Sequence, residues 1–219
     1  MKLNTLPTKN ARNQSGFTLI EMIGVLAVIA ILAAVLIPKV FEAINNSRIN
    51  NASMSCDTVK TAIADHYAKY GGLNIDGSTG TGVVITAPNT NYDQILLKEQ
   101  FLDKLFVTKI GDGVNSGTNT HVEMVSCPAL TQAVAGDSTS GYALSGTTNN
   151  NECSGSYIVQ AVITGVTLAD AQALSQRVDG INLSAPTVIP NATSTDIKGR
   201  VKYLGTADPT TVYVYLTHR

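Results

Sequence analysis

Residues 17–37 read FTLIEMIGVLAVIAILAAVLI, an apolar run of 21 residues whose one charge is Glu21. A helix of about 20 residues crosses the hydrocarbon core of a bilayer, so a run of this length has to be buried in lipid or against other helices. Lys2, Lys9 and Arg12 precede it without an acid among residues 1–16. By the positive-inside rule these residues stay in the cytoplasm, and the chain beyond Lys39 lies outside. Two ordinary readings present themselves. A secretory signal would have a shorter apolar stretch followed by a small-x-small cleavage site, and neither is found. A bare membrane anchor accounts for the length but not for Glu21, because a carboxylate in such a segment is costly unless it reaches water or a cation.

Composition bounds the remainder. Apolar residues make up 44% of the 219, which supplies a core, while charged residues are only 14%, below the average for globular domains. Without residues 1–16 the 15 basic residues fall to 12 against 16 acidic ones, a net charge of −4. That sign, with no cluster of Lys and Arg interleaved with aromatics, argues against a nucleic-acid-tracking surface. Cys56, Cys127 and Cys153 contain no C-x-x-C spacing, so a zinc or thioredoxin-like site is unsupported. In an oxidising compartment one disulfide and one thiol is the simplest account.

The run Gly16-Phe17-Thr18-Leu19-Ile20-Glu21, between a basic leader and an unbroken apolar helix, resembles the processing site of type IV prepilins and type II secretion pseudopilins. The resemblance covers residues 12 to about 40 and includes Pro38. It implies that a membrane peptidase cuts between Gly16 and Phe17 and that the new N-terminal residue, Phe17, is N-methylated. Gly16 has no Cβ, which permits close approach of another backbone. The cut gives Phe17 an amine, and Glu21 in lipid needs a cation. The Phe17 amine of the same or a neighbouring subunit supplies one, and a buried pair of this kind fixes register more than it adds stability. The Thr18 hydroxyl is a further candidate partner in assembly, against its ordinary role of bonding within its own helix.

Pro38 removes one helical hydrogen bond and marks a kink. Beyond it, Cys56, Val59, Ile63, Tyr67 and Tyr70 fall on one face at helical spacing, and Gly71-Gly72 ends the element. A helix over residues 17–70 is about 80 Å long, apolar all round in its first half and amphipathic in its second. The alternative is an anchor followed by a separate helix, with Asn45-Asn46 and Asn50-Asn51 at the break. Strands are expected over residues 83–86, 122–125, 157–163, 200–204 and 211–217. Helices are expected over 92–99, capped by Asn91, and over 168–178, capped by Thr167 and ended by Gly180. Residues 111–120 and 136–156, rich in Gly, Ser, Thr and Asn, read as exposed loops.

The fold class is therefore α+β: a long N-terminal helix packed on a small antiparallel sheet, as the pilin resemblance also implies. The expected division is a leader over 1–16, a transmembrane or filament-core helix over 17–38, its amphipathic continuation over 39–70 and a globular head over 71–219.

The chemistry-bearing residues are few. There is no G-x-S-x-G, H-E-x-x-H, Walker A or G-x-G-x-x-G motif. His66, His121 and His218 stand in separate segments. A catalytic pair of His121 and Cys127 is conceivable only if folding joins them, and His66 reads as packing or solvated. Asp112, with Asn115 and Asn119, offers oxygen ligands suited to calcium. Some secretion pseudopilins bind calcium in a loop, but the segment lacks the acidic density of an EF-hand and reads first as a polar loop. Cys56 reads as a buried thiol. Pilins of the adhesion type close a C-terminal loop with a disulfide, for which Cys127 and Cys153 are the candidates, although 66 residues follow Cys153.

No enzymatic activity, cofactor or nucleic-acid partner is expected. The resemblance implies a structural subunit of a bacterial type IV pilus serving adhesion, motility or DNA uptake, with a type II secretion pseudopilin as the alternative. Its partners are then copies of itself and other pilins, the prepilin peptidase and an inner-membrane assembly platform. It would sit in the inner membrane before assembly, then in an extracellular filament or a periplasmic pseudopilus. A membrane-anchored extracytoplasmic enzyme or binding protein is the rival from another class.

Overall fold

The computed structural model describes residues 16–78, 82–116, 118–127, 133–147 and 152–219. Of the expected leader only Gly16 lies among them. One helix, α1, runs Leu19–Tyr70 for 52 residues and continues through Pro38. It starts two residues later than expected because Thr18 caps it. It ends where Gly71, with φ +76°, takes the left-handed conformation that costs glycine least and donates its N–H to the Tyr67 carbonyl. The chain divides into two compact units at Ile44/Asn45. In the first, every described residue is exposed except the half-buried Ala33.

In the second unit, α1 buries Ile49, Ala52, Cys56, Val59, Ala62, Ile63 and His66. The face expected from Cys56, Val59 and Ile63 is thus the core face. The 3-4-3 spacing continues to His66, which is fully buried, and not to Tyr67, which is 37% exposed.

The sheet against this face has strand order β3-β4-β6-β5, all antiparallel, with β3 His121–Ser126, β4 Tyr157–Val166, β5 Val201–Tyr203 and β6 Thr210–His218. A separate two-stranded ribbon pairs β1 Ile75–Asp76 with β2 Val83–Val84. Strand β1 is too short for periodicity to reveal. Helix α2 spans Tyr92–Lys98, and α3 spans Leu168–Asp179. Thr167 caps α3 as expected, its hydroxyl accepting from the Asp170 N–H, and Gly180 follows the helix. Asn91 does not cap α2. Its side-chain oxygen instead accepts from the Gln94 side-chain amide at 3.2 Å. Among the described residues, a 3-10 turn at Ala192–Ser194 is capped by Asn191.

Strand alternation gives the sheet two different faces. Val122, Met124, Ala161, Ile163, Tyr203, Val212 and Val214 join the main core with α1, α2 and α3. On the opposite face Val125 and Ile158 form a second cluster with Cys127, Tyr142 and Cys153. This corrects the reading of residues 136–156 as an exposed loop. Ser140, Tyr142, Ala143 and Cys153 are buried. The Tyr142 hydroxyl donates to the Gln160 side chain at 2.6 Å, and Lys202 Nζ donates to the Ser140 carbonyl at 2.8 Å. Isolated aromatic and apolar residues in a polar segment are enough to lay it on the sheet when the strands supply partners.

Candidate processing and assembly site

Residues 16–18 precede the helix in extended or irregular backbone, and Phe17 is 85% exposed. A Cβ on Gly16 would meet no atom within 4 Å, so nothing within the described residues requires glycine there. At Thr18 the chain turns into the helix, its carbonyl accepting the Met22 N–H. The Thr18 N–H donates to Glu21 Oε2 at 2.7 Å, and the Thr18 hydroxyl donates to the same oxygen at 2.8 Å. The Glu21 N–H returns to the Thr18 hydroxyl at 3.4 Å. This is a reciprocal capping box, in which threonine and the glutamate three residues on satisfy each other's open groups at a helix start. Thr18 thus bonds within its own helix, the ordinary reading, and in doing so holds the Glu21 carboxylate at the helix start. Sequence spacing alone contained this signal, a T-x-x-E immediately before an apolar run.

From Leu19 onward the helix offers Ile20, Ile23, Leu26, Ile29, Leu32, Leu36 and Phe41 at 50–75% exposure or thereabouts, on every side. It is long and apolar enough to cross a membrane. Its remaining charges in this unit, Lys39 and Glu42, pair at 3.2 Å just beyond Pro38.

The second unit separates the other candidates. His121 begins β3 and Cys127 follows its end, about 20 Å apart at roughly 3.3 Å per residue, so they form no catalytic pair. Burial works against a charged His121 ring, but Glu123, with Nε2 to Oε2 at 3.7 Å, and the Asn119 carbonyl outweigh it and raise its pKa. His66 packs: its Nδ1 lies 2.6 Å from Glu99 Oε2 within a cage of Tyr70, Tyr92 and Phe101. His218 meets the Tyr215 hydroxyl at 2.5 Å.

Asp112 and Asn115 turn to different partners. Asp112 accepts from the Thr120 and Thr164 hydroxyls, whereas the Asn115 amide donates to Asp93 at 2.8 Å and the Phe106 carbonyl at 2.6 Å. Asn119 gives its carbonyl to His121. Among the described residues no three His, Cys, Asp or Glu side chains gather as a metal ion would need.

Cys127 and Cys153 share the second cluster, tied by hydrogen bonds from the Cys127 N–H to the Ser156 carbonyl and from the Gly155 N–H to the Cys127 carbonyl. Cys56 lies in the main core, where burial, with Asp57 adding to it, pushes its thiol up to about 12. An isolated thiol of that kind is inert.

Residues 11–37 match the family model described as the prokaryotic N-terminal methylation motif. The chain is similar to a type IV major pilin protein of Neisseria gonorrhoeae, 28% identical over 110 residues, which cover 50% of this chain and 58% of that protein. It is 49% identical over 59 residues to the major component of the type IV wide pilus of Thermus thermophilus, 27% of this chain and 39% of that one. A fimbrial protein of Eikenella corrodens is 30% identical over 89 residues, 36% of this chain and 58% of its own. The matched regions span less than two thirds of each relative's length. No solved structure matches the chain.

Proposed function

We propose that this chain is a structural subunit of a type IV pilus, made as a precursor and built into a surface filament, on the match of residues 11–37 to the prokaryotic N-terminal methylation motif and the similarity to type IV major pilins. Prepilin peptidase cuts between Gly16 and Phe17, and Phe17 is then N-methylated. The observation that carries the reading is the capped start of α1: Glu21 is held by the N–H and hydroxyl of Thr18, the residue after Phe17, at the head of a helix with no buried residue before Ile49. Cleavage makes the Phe17 nitrogen a cation, so the subunit presents an amine and a carboxylate at the end of an apolar rod. Stacking such rods satisfies both the apolar surface and the charge. The partners are further copies of the chain, other pilins, the peptidase and the inner-membrane assembly platform. Adhesion, motility and DNA uptake are all served by such a filament.

Mass spectrometry of the N-terminal peptide from membrane-extracted and sheared fractions tests this. The expected species begins at Phe17 and carries one added methyl group. A chain that keeps residues 1–16 in a strain with active peptidase would remove the reading in favour of a plain membrane anchor.

A further inference from the structure

The second unit leaves an open groove beside α1, about 510 Å³ in volume. Asn50, Asp57 and Lys60 of α1 form one wall, Arg177 at the end of α3 and Arg200 before β5 the other, and β6 the floor. A further hollow between Asn46 and Gln176 shares Asn50 and Arg177 with it and extends it along the helix. From Asn46 to Lys60 the wall runs about 21 Å at about 1.5 Å per residue, the length of some six residues of extended chain. Its lining is mixed, with Met54, Val178, Val214 and Leu216 set among the polar and charged side chains. Asp179 occupies one cation, bonding Arg200 Nε at 3.2 Å. Arg177 and Lys60 are exposed, and neither has an acidic partner within bonding distance among the described residues.

The charge here runs against that of the unit. Residues 45–219 carry 11 basic and 14 acidic side chains, a net −3. The groove holds Lys60, Arg177 and Arg200 against Asp57 and Asp179, a net +1, so the rest of the unit is −4. Side-chain amides beside two open cations suit an extended backbone bearing carboxylates. We infer that this groove docks an acidic surface segment of a second copy of the chain. A groove meeting a different surface on the next copy is a heterologous contact, the kind that propagates into an open filament instead of closing a dimer. The inference rests on the proposed function for its setting but on the groove for its contact.

The test uses the full chain in membranes, with photo-reactive p-benzoylphenylalanine in place of Gln176. Irradiation should give an adduct of twice the subunit mass containing only this chain's peptides. Lys60→Glu with Arg177→Glu should reduce it about tenfold or more, since like charges then face each other across the contact. Replacing the cross-linked segment's carboxylate by lysine should restore it. Both substituted positions are exposed, and unchanged protease resistance verifies the fold. An adduct with another protein, a self-adduct indifferent to the charge reversal, or filaments at wild-type yield without a self-adduct would each overturn the inference. Self-adducts in cells that make no filament would sustain the groove and remove the filament reading instead.

Discussion

Lys202 of β5 is 1% exposed, a position lysine almost never takes. Its ammonium donates to the Ser140 carbonyl at 2.8 Å and hydroxyl at 2.9 Å, and sits 4.3 Å over the Tyr142 ring. Burial pushes its pKa from 10.5 down to about 8, with Asp137 pulling the other way. The folded chain thus releases this proton more readily than the unfolded one. Below pH 8 both states are charged and the fold carries the whole desolvation cost. As pH rises from about 8 to 10.5 only the fold sheds the proton, and stability rises. A drop from 10.5 to about 8, at about 1.4 kcal/mol per pH unit, amounts to about 3 kcal/mol. Lys202→Met keeps the stem and removes the titration. The urea-unfolding free energy of wild type minus variant, followed by near-ultraviolet dichroism on the detergent-solubilised chain, should therefore climb by about 3 kcal/mol between pH 7 and 11. Tyrosines that titrate in both proteins largely cancel in the difference. A difference that stays flat across this range would refute the buried-ammonium reasoning.

Three further outcomes follow from particular contacts. Glu99→Ala strands two groups, His66 Nδ1 at 2.6 Å and the Gly77 N–H at 2.7 Å, so thermal unfolding should show a loss of about 3–5 kcal/mol; a loss below about 1 kcal/mol would contradict it. Cys127 and Cys153, joined, should contribute about 3 kcal/mol by closing the intervening chain while Cys56 stays reduced. Non-reducing peptide mapping that finds Cys56 bridged would overturn the pairing. Gly16→Val should leave the precursor uncut and membrane-bound, and an immunoblot at mature size would refute that.

What the sequence discloses and what it hides divide along physical lines. The apolar run, the caps at Thr167 and Gly180 and the strands rich in β-branched residues act locally, and their bounds stand within a residue or two of the expected ones, except that β4 runs three residues past 163. The Thr18 and Glu21 pair was legible as a capping pattern, yet the scarcity of charge in the run directs attention to Glu21 as an unpaired carboxylate. The covering of the sheet's second face was not legible. It depends on Tyr142 meeting Gln160 and Ser140 meeting Lys202, contacts 18 and 62 residues apart in a segment whose composition reads as loop. His66 illustrates the same limit: its burial follows from helical phase, but its partner Glu99 lies 33 residues away. Asn91 shows the reverse, a residue of capping type that the local chain uses otherwise.

Glu21→Ala tests the central claim most directly. The substitution removes the one charge from residues 17–37, so membrane insertion should be as good or better. The cut after Gly16 should persist, because Glu21 lies beyond it. The α1 start should lose its capping box, a local cost of about 1 kcal/mol that a helix of 52 residues tolerates. Assembly should fail, since the Phe17 amine no longer meets a carboxylate when helices stack. The measurement is the ratio of sheared filament to membrane-retained subunit, with the substituted chain as the sole subunit expressed. The account predicts processed protein held in the membrane and few or no filaments. Filaments at wild-type yield would contradict it, and would take Glu21 and its Thr18 cap out of the assembly mechanism.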